Sequence, residues 1–267
     1  MILKNARVFI SFLWRDWHCK RKHLGQWIIN FTLLYPALYC FCFGYVKPRI
    51  LFPNNPDTMS TILLMGPVFL MVLIVTFDLS LDLLLDLDED RFTEYQTLIL
   101  SPRLYLLERL TFSTLFTFGI TAPFMPIAKF ILGSHLATPG LSWPQYFLIL
   151  FTSSLACSAY HICAMCILTK SSQLMSLWTR ITFIFSTFGG FWVPRAVLMS
   201  FIAEYSSWAH YLVFINPFVY ITDGLRGATI GGSGFISPLL CALVLVGFTV
   251  ITMLFAAFFF KRKLDHV

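Results

Sequence analysis

The sequence predicts an all-α integral membrane protein with six transmembrane helices, an N-terminal amphipathic interface helix and a re-entrant outer helical hairpin before the last span. Three observations lead there. Of 267 residues, 58% are hydrophobic and only 12% are charged. A soluble domain carries roughly 25% charged residues, so lipid rather than water is the main solvent. Long apolar runs recur between short polar connections, each near the roughly 20 residues that cross about 30 Å of hydrocarbon as a helix. A barrel would instead show alternating segments of about 10 residues, and the chain has none of these.

Residues 2–22 suit a helix lying in the headgroup layer. Leu3, Ala6, Ile10, Leu13, Trp14 and Trp17 share one face, with Lys4, Arg7, Ser11, Arg15 and His18 on the other. The apolar runs that follow place spans at roughly 26–46, 59–80, 105–132, 145–169, 174–194 and 235–260. The first run is long, lacks a small-residue cleavage site and follows an amphipathic stretch, so it reads as a span and not as a signal peptide. Pro123 and Pro126 remove backbone donors from the third span and should kink it near the outer leaflet. Gly189, Gly190 and Pro194 permit a bend at the outer end of the fifth. The stretch 195–234 is too polar and Gly-rich for a lipid-facing helix, yet too apolar for a simple loop. Half-spanning helices fit it, because such backbone is tolerated at membrane depth only where protein or a water-filled cavity covers it. Within it, Asn216 can cap a short helix beginning at Pro217, and Asp223 and Arg226, three apart, can pair on one face. Nothing in the chain marks a second domain, so residues 1–267 read as one transmembrane domain.

The formal charge of +6 is not a nucleic-acid signal, because the basic residues gather at the ends: Lys4, Arg7, Arg15, Lys20, Arg21 and Lys22 at one, Lys261, Arg262 and Lys263 at the other. Both termini therefore read as cytoplasmic, which an even number of spans satisfies. The seven scattered cysteines offer no disulfide framework. Asp78, Asp82, Asp86 and Asp90 recur every fourth residue as a carboxylate stripe. It is read as a solvated helix extension meeting basic partners, with cation or proton coupling as the alternative. His161, Cys163, Met165 and Cys166 could offer soft-metal ligands. The surrounding Ser153, Ser154, Ala156, Cys157, Ser158 and Ala159 favour close helix packing instead, and no metal site is assigned.

Four features recur in order along the whole chain: the interface helix with Trp14 and Trp17; a cytoplasmic segment from Asp90 that ends in Ser101-Pro102; the run Gly189-Gly190-Phe191-Trp192-Val193-Pro194; and the string from Asn216-Pro217 to Asp223-Gly224-Leu225-Arg226. This order resembles the membrane (permease) subunit of six-span ATP-binding-cassette exporters of the polysaccharide and drug export type. The resemblance implies that residues 86–102 form the coupling segment, with Arg91, Glu94, Tyr95, Thr97, Leu98, Ser101 and Pro102 meeting a cytoplasmic ATPase subunit. Many relatives carry Gly-Thr near the start of this segment, and this chain does not. It further implies that Gly190, Pro194, Asn216, Pro217, Asp223 and Arg226 belong to an outer hairpin that closes the external end of the path; a purely structural hairpin is the alternative. Its expected partners are a second copy of the chain, the ATPase and membrane lipid, in a bacterial cytoplasmic (inner) membrane. ATP and Mg would sit on the ATPase, since this chain has no cofactor site and no phosphate-binding Gly-rich Lys motif. The cargo is read as a lipid-linked glycan, a glycolipid or a drug-like amphiphile, with a peptide also compatible with an aromatic, mostly uncharged path; the resemblance does not sort them. The rivals are an autonomous secondary transporter or channel using Asp78, Asp82 and Asp86, and an intramembrane enzyme at His161, which lacks a paired base and nucleophile.

Overall fold

Proline and glycine decide where the apolar runs bend. The computed structural model describes residues 2–88, 101–168, 178–205, 208–232 and 234–264, and among them every regular element is helical. Helix α1 is Ile2–Arg21, with His18, Lys20 and Arg21 in its last turn, where cations complement the helix dipole. Helix α2, Leu24–Leu51, is long enough to span. It widens into π-helical turns at Ile28–Leu34 and Cys40–Val46, just before Pro36 and Pro48. Each proline lacks an N–H and crowds the carbonyl four residues back, and a widened turn relieves that crowding.

Helix α3, Pro56–Asp88, runs through Pro67 without ending. The third span is interrupted at Ala122–Pro123 into α4, Pro102–Thr121, and α5, Phe124–Leu132, where a kink is expected. Helix α6 is Trp143–Ile167, and α10 is Pro238–Leu264. Between them lie a π turn at Trp178–Thr182, α7 at Phe183–Phe188, α8 at Arg195–Tyr205, a 3-10 turn at Ala209–Ile215 and α9 at Pro217–Ile230.

Among the described residues, five stretches are long and apolar enough to cross a membrane: Leu24–Leu51, Pro56–Leu84, Pro102–His135, Trp143–Ile167 and Pro238–Arg262. They overlie five of the expected spans. The other, at 174–194, is described only from Trp178 onward, and its helix gives way to a turn at Gly189-Gly190.

Helix α6 is central, packed by α3, α4, α9 and α10. Its small residues Ser153, Ser154, Ala156, Cys157, Ser158 and Ala159 are buried on all sides and let neighbouring backbones approach, and Ser158 Oγ lies 2.9 Å from Ser113 Oγ on α4. One core joins Leu64, Phe69 and Leu73 of α3 to Phe124, Ile149, Phe218 and Leu245. A second lies around Leu83, Tyr105, Ile162 and Phe260. A third gathers Trp27, Leu79, Phe112 and Phe116 beneath α1. Leu13 and Trp17 of α1 pack onto this third core, whereas Ile10 and Trp14 stay exposed, so the apolar face of α1 is divided between protein and surroundings.

Candidate functional site

Helix α9 is amphipathic by sequence but enclosed in the fold, with Thr222, Asp223, Arg226 and Thr229 all buried. Most of its polar groups find partners on the surrounding elements, with Arg226 Nη1 a buried donor that has no acceptor within hydrogen-bond distance among the described residues. Asn216 caps the helix by accepting from Phe218 N at 3.0 Å, while its Nδ2 donates to the carbonyl of Phe185 at 2.7 Å. Thr222 Oγ1 donates to Gly189 O at 2.7 Å. Arg226 donates from Nε to Ile62 O on α3 at 3.0 Å and from Nη2 to Gly190 O at 2.6 Å. The guanidinium, fully buried, thus fastens α9 to α3 and to the turn that ends α7.

The expected ion pair between Asp223 and Arg226 does not form. Asp223 accepts instead from Arg195 Nε at 2.6 Å and from Ile236 N at 3.2 Å. The i, i+3 spacing puts both side chains on α9, but the fold brings Arg195 at the start of α8 against Asp223 and aims Arg226 at backbone carbonyls. Pro194 immediately precedes α8, and its carbonyl accepts from Val197 N and Leu198 N.

Glycine makes this arrangement possible. Gly190 has φ 85°, and a Cβ there would lie 2.7 Å from Thr222 Oγ1 and 3.2 Å from Arg226 Nη1. At Gly66 of α3 a Cβ would run into the carbonyl oxygen of Phe191. Gly190→Ala is expected to lower stability by about 1–3 kcal/mol through backbone strain and crowding, measured as the thermal midpoint in detergent; an unchanged midpoint would refute the fit.

A second polar cluster lies at the opposite end of α3. Asp16 of α1, buried, accepts from Arg109 Nη1 of α4 at 2.7 Å and from Arg15 Nη2 at 2.7 Å. Lys20 Nζ lies 2.9 Å from Asp82 Oδ2 on α3. Glu108 is fully enclosed beside them, with Oε2 4.0 Å from Arg109 Nε. Helix α1 is therefore tied by charge to both α3 and α4, and Trp17 adds an edge contact to Phe116.

Asp16, Glu108, Thr222 and the pairing of Arg195 escaped sequence reasoning. One signal was available: Asp16 is the only acid in α1, and Glu108-Arg109 is a charged pair inside an apolar helix. Of the expected coupling residues, Arg91, Glu94, Tyr95, Thr97 and Leu98 lie outside the described residues. Ser101 and Pro102 start α4, where Ser101 Oγ accepts from Leu104 N at 3.4 Å. In the acidic stripe Asp78 is exposed and Asp82 meets Lys20. The side chain of Asp86 and all of Asp90 lie outside the described residues. His161 faces inward, with Nδ1 2.9 Å from Thr76 Oγ1 of α3. Among the described residues no three His, Cys, Asp or Glu side chains gather as metal ligands.

Spanning helices around a buried polar helix, clamped at both ends of α3, define a multi-pass membrane protein. A family model described as ABC-2 type transporter matches residues 7–230, and the chain belongs to that family. Its members are membrane subunits of transporters and generally pair with an ATPase subunit. The match runs from α1 to the end of α9 and so takes in both clusters. No curated protein and no solved structure matches the chain.

Proposed function

We propose that this chain is the six-span permease subunit of an ATP-driven exporter, working as a pair of identical halves, each bound to a separate ATPase subunit that carries ATP and Mg. The path forms between the halves about a two-fold axis. The cargo class is a lipid-linked glycan, a glycolipid or a drug-like amphiphile, exported across a bacterial cytoplasmic membrane with both termini inside. Residues 1–267 act as one domain, with 2–22 as the interface helix, 86–102 as the coupling segment and 195–234 as the outer re-entrant region.

One observation carries this reading. The single helix α3 holds Asp82 against Lys20 near one end and Ile62 against Arg226 near the other, 20 residues and about 30 Å apart at 1.5 Å per residue. The coupling segment begins in the last turn of α3. A push delivered there by the ATPase travels along a continuous rod to the contact that holds α9, and α9 then opens or closes the outer end. In this scheme the acidic stripe docks basic partners such as Lys20 and does not carry an ion.

Joint replacement of Glu94 and Tyr95 with alanine is expected to abolish co-purification of the ATPase while leaving membrane insertion intact. Undiminished association would overturn the coupling assignment. Flux through the reconstituted chain alone, driven by an ion gradient, would favour the secondary transporter.

A further inference from the structure

Beneath the N-terminal tip of α9 lies a half-open cavity of 440 Å³, walled by the last turns of α6, by α7 with the π turn before it, and by the middle of α10. The volume is within the roughly 300–1,000 Å³ of small-molecule sites, but the chemistry is unusual for one. Its polar groups are already engaged: Tyr160 OH with Thr182 Oγ1 at 3.3 Å, and Thr252 Oγ1 with the carbonyl of Phe248. The helix N-terminus above is capped by Asn216, and Pro217 has no N–H to offer. Among the described residues a ligand here meets mostly hydrocarbon surface, with the Cys163 thiol, a weak donor, as the remaining side-chain polar group.

The shape and setting select the occupant. From Tyr160 to Leu168 the wall runs about 12 Å along α6, eight residues at 1.5 Å each. Helices α6 and α10 both qualify as membrane spans, so the trough follows the direction in which lipid chains lie. At its mouth Ile167, Ile181 and Phe185 are exposed, and α10 continues outward through exposed Leu243, Ile251 and Leu254. Hydrocarbon, not water, is the medium reaching that mouth. A trough so poor in free polar groups offers water too few hydrogen-bond partners to hold it, and wall atoms that face a void lose packing contacts.

We propose that this trough binds one acyl chain of a bilayer phospholipid, inserted beneath Pro217 and Phe218 so that it supports the tip of α9. The site is independent of the ATPase coupling proposed above, because its occupancy is read on this chain alone.

The full chain is reconstituted in phosphatidylcholine vesicles containing a fraction of phosphatidylcholine with a diazirine at the end of one acyl chain. After illumination, adducts are mapped by peptide mass spectrometry. Adducts are expected to concentrate in Tyr160–Leu168 and Phe248–Thr252, several-fold above the equally apolar exposed positions Leu243 and Leu254. Filling the trough from either wall, by Ala164→Trp or by Thr252→Phe, is expected to lower trough adducts several-fold without changing those at Leu243 and Leu254. Helical content and elution volume serve as the check on folding, and the two variants on opposite walls cover failure of one. Trough labelling no greater than surface labelling, or unchanged by whichever variant folds, would overturn the proposal.

Discussion

Arg226→Leu is expected to uncouple α9 from α3 and to lower stability by about 3 kcal/mol, a large share of the roughly 5–15 kcal/mol that holds a typical domain together. The side chain is fully enclosed, and its two donated bonds go to Gly190 O and Ile62 O on two different elements. Leucine matches the apolar neighbours but supplies neither donor, so a buried carbonyl in the turn loses its charged partner. Arg226→Lys is a sharper probe. It keeps the charge but replaces a planar fork by one point, so it cannot reach both carbonyls as arginine does, and an intermediate loss is expected. The thermal midpoint of the purified chain reports the stability term. ATP-driven export by the complete transporter, assayed below that midpoint, reports the coupling. A leucine variant that melts and exports like the parent would show that the Arg226 contacts carry neither.

Asp16→Ala is expected to release α1 from the bundle at a cost of about 3 kcal/mol, the lower end of what stranding one member of a buried ion pair costs. The lower end applies because Glu108 stands 4.0 Å from Arg109 and can take over as its partner once Asp16 is gone. Removing Arg109 as well, in Asp16→Leu with Arg109→Leu, is expected to restore part of the loss, since the closest buried pair is then removed as a unit, while Arg15 and Glu108 still lose the contacts described above. Hydrogen exchange over residues 6–21 should rise in the single variant and fall back in the double one. Equal exchange in parent and single variant would mean that packing of Leu13 and Trp17 alone holds α1.

How far each feature was legible in the sequence follows from the range of the interaction that makes it. Five spans were readable within a few residues, because helix length against hydrocarbon thickness is a property of consecutive residues. The break at Ala122–Pro123 was readable for the same reason: proline acts on its own carbonyl neighbours. The cap at Asn216 and the bend at Gly189-Gly190 are likewise local. The partner of Asp223 was not. Sequence spacing offered Arg226, three residues away on the same helix, but the contact chosen was Arg195, 28 residues away.

By itself, then, the order of residues determined an all-helical membrane protein, the position of its polar helix and the family to which it belongs. Only the tertiary structure decided that Arg226 reaches 164 residues back to Ile62 and that Asp16, alone among basic neighbours, turns inward to Arg109. The physical reason is one of distance. Hydrophobic length, capping and proline sterics act within a few residues, whereas a buried charge takes whichever partner packing brings within about 3 Å, and packing is a property of the whole fold.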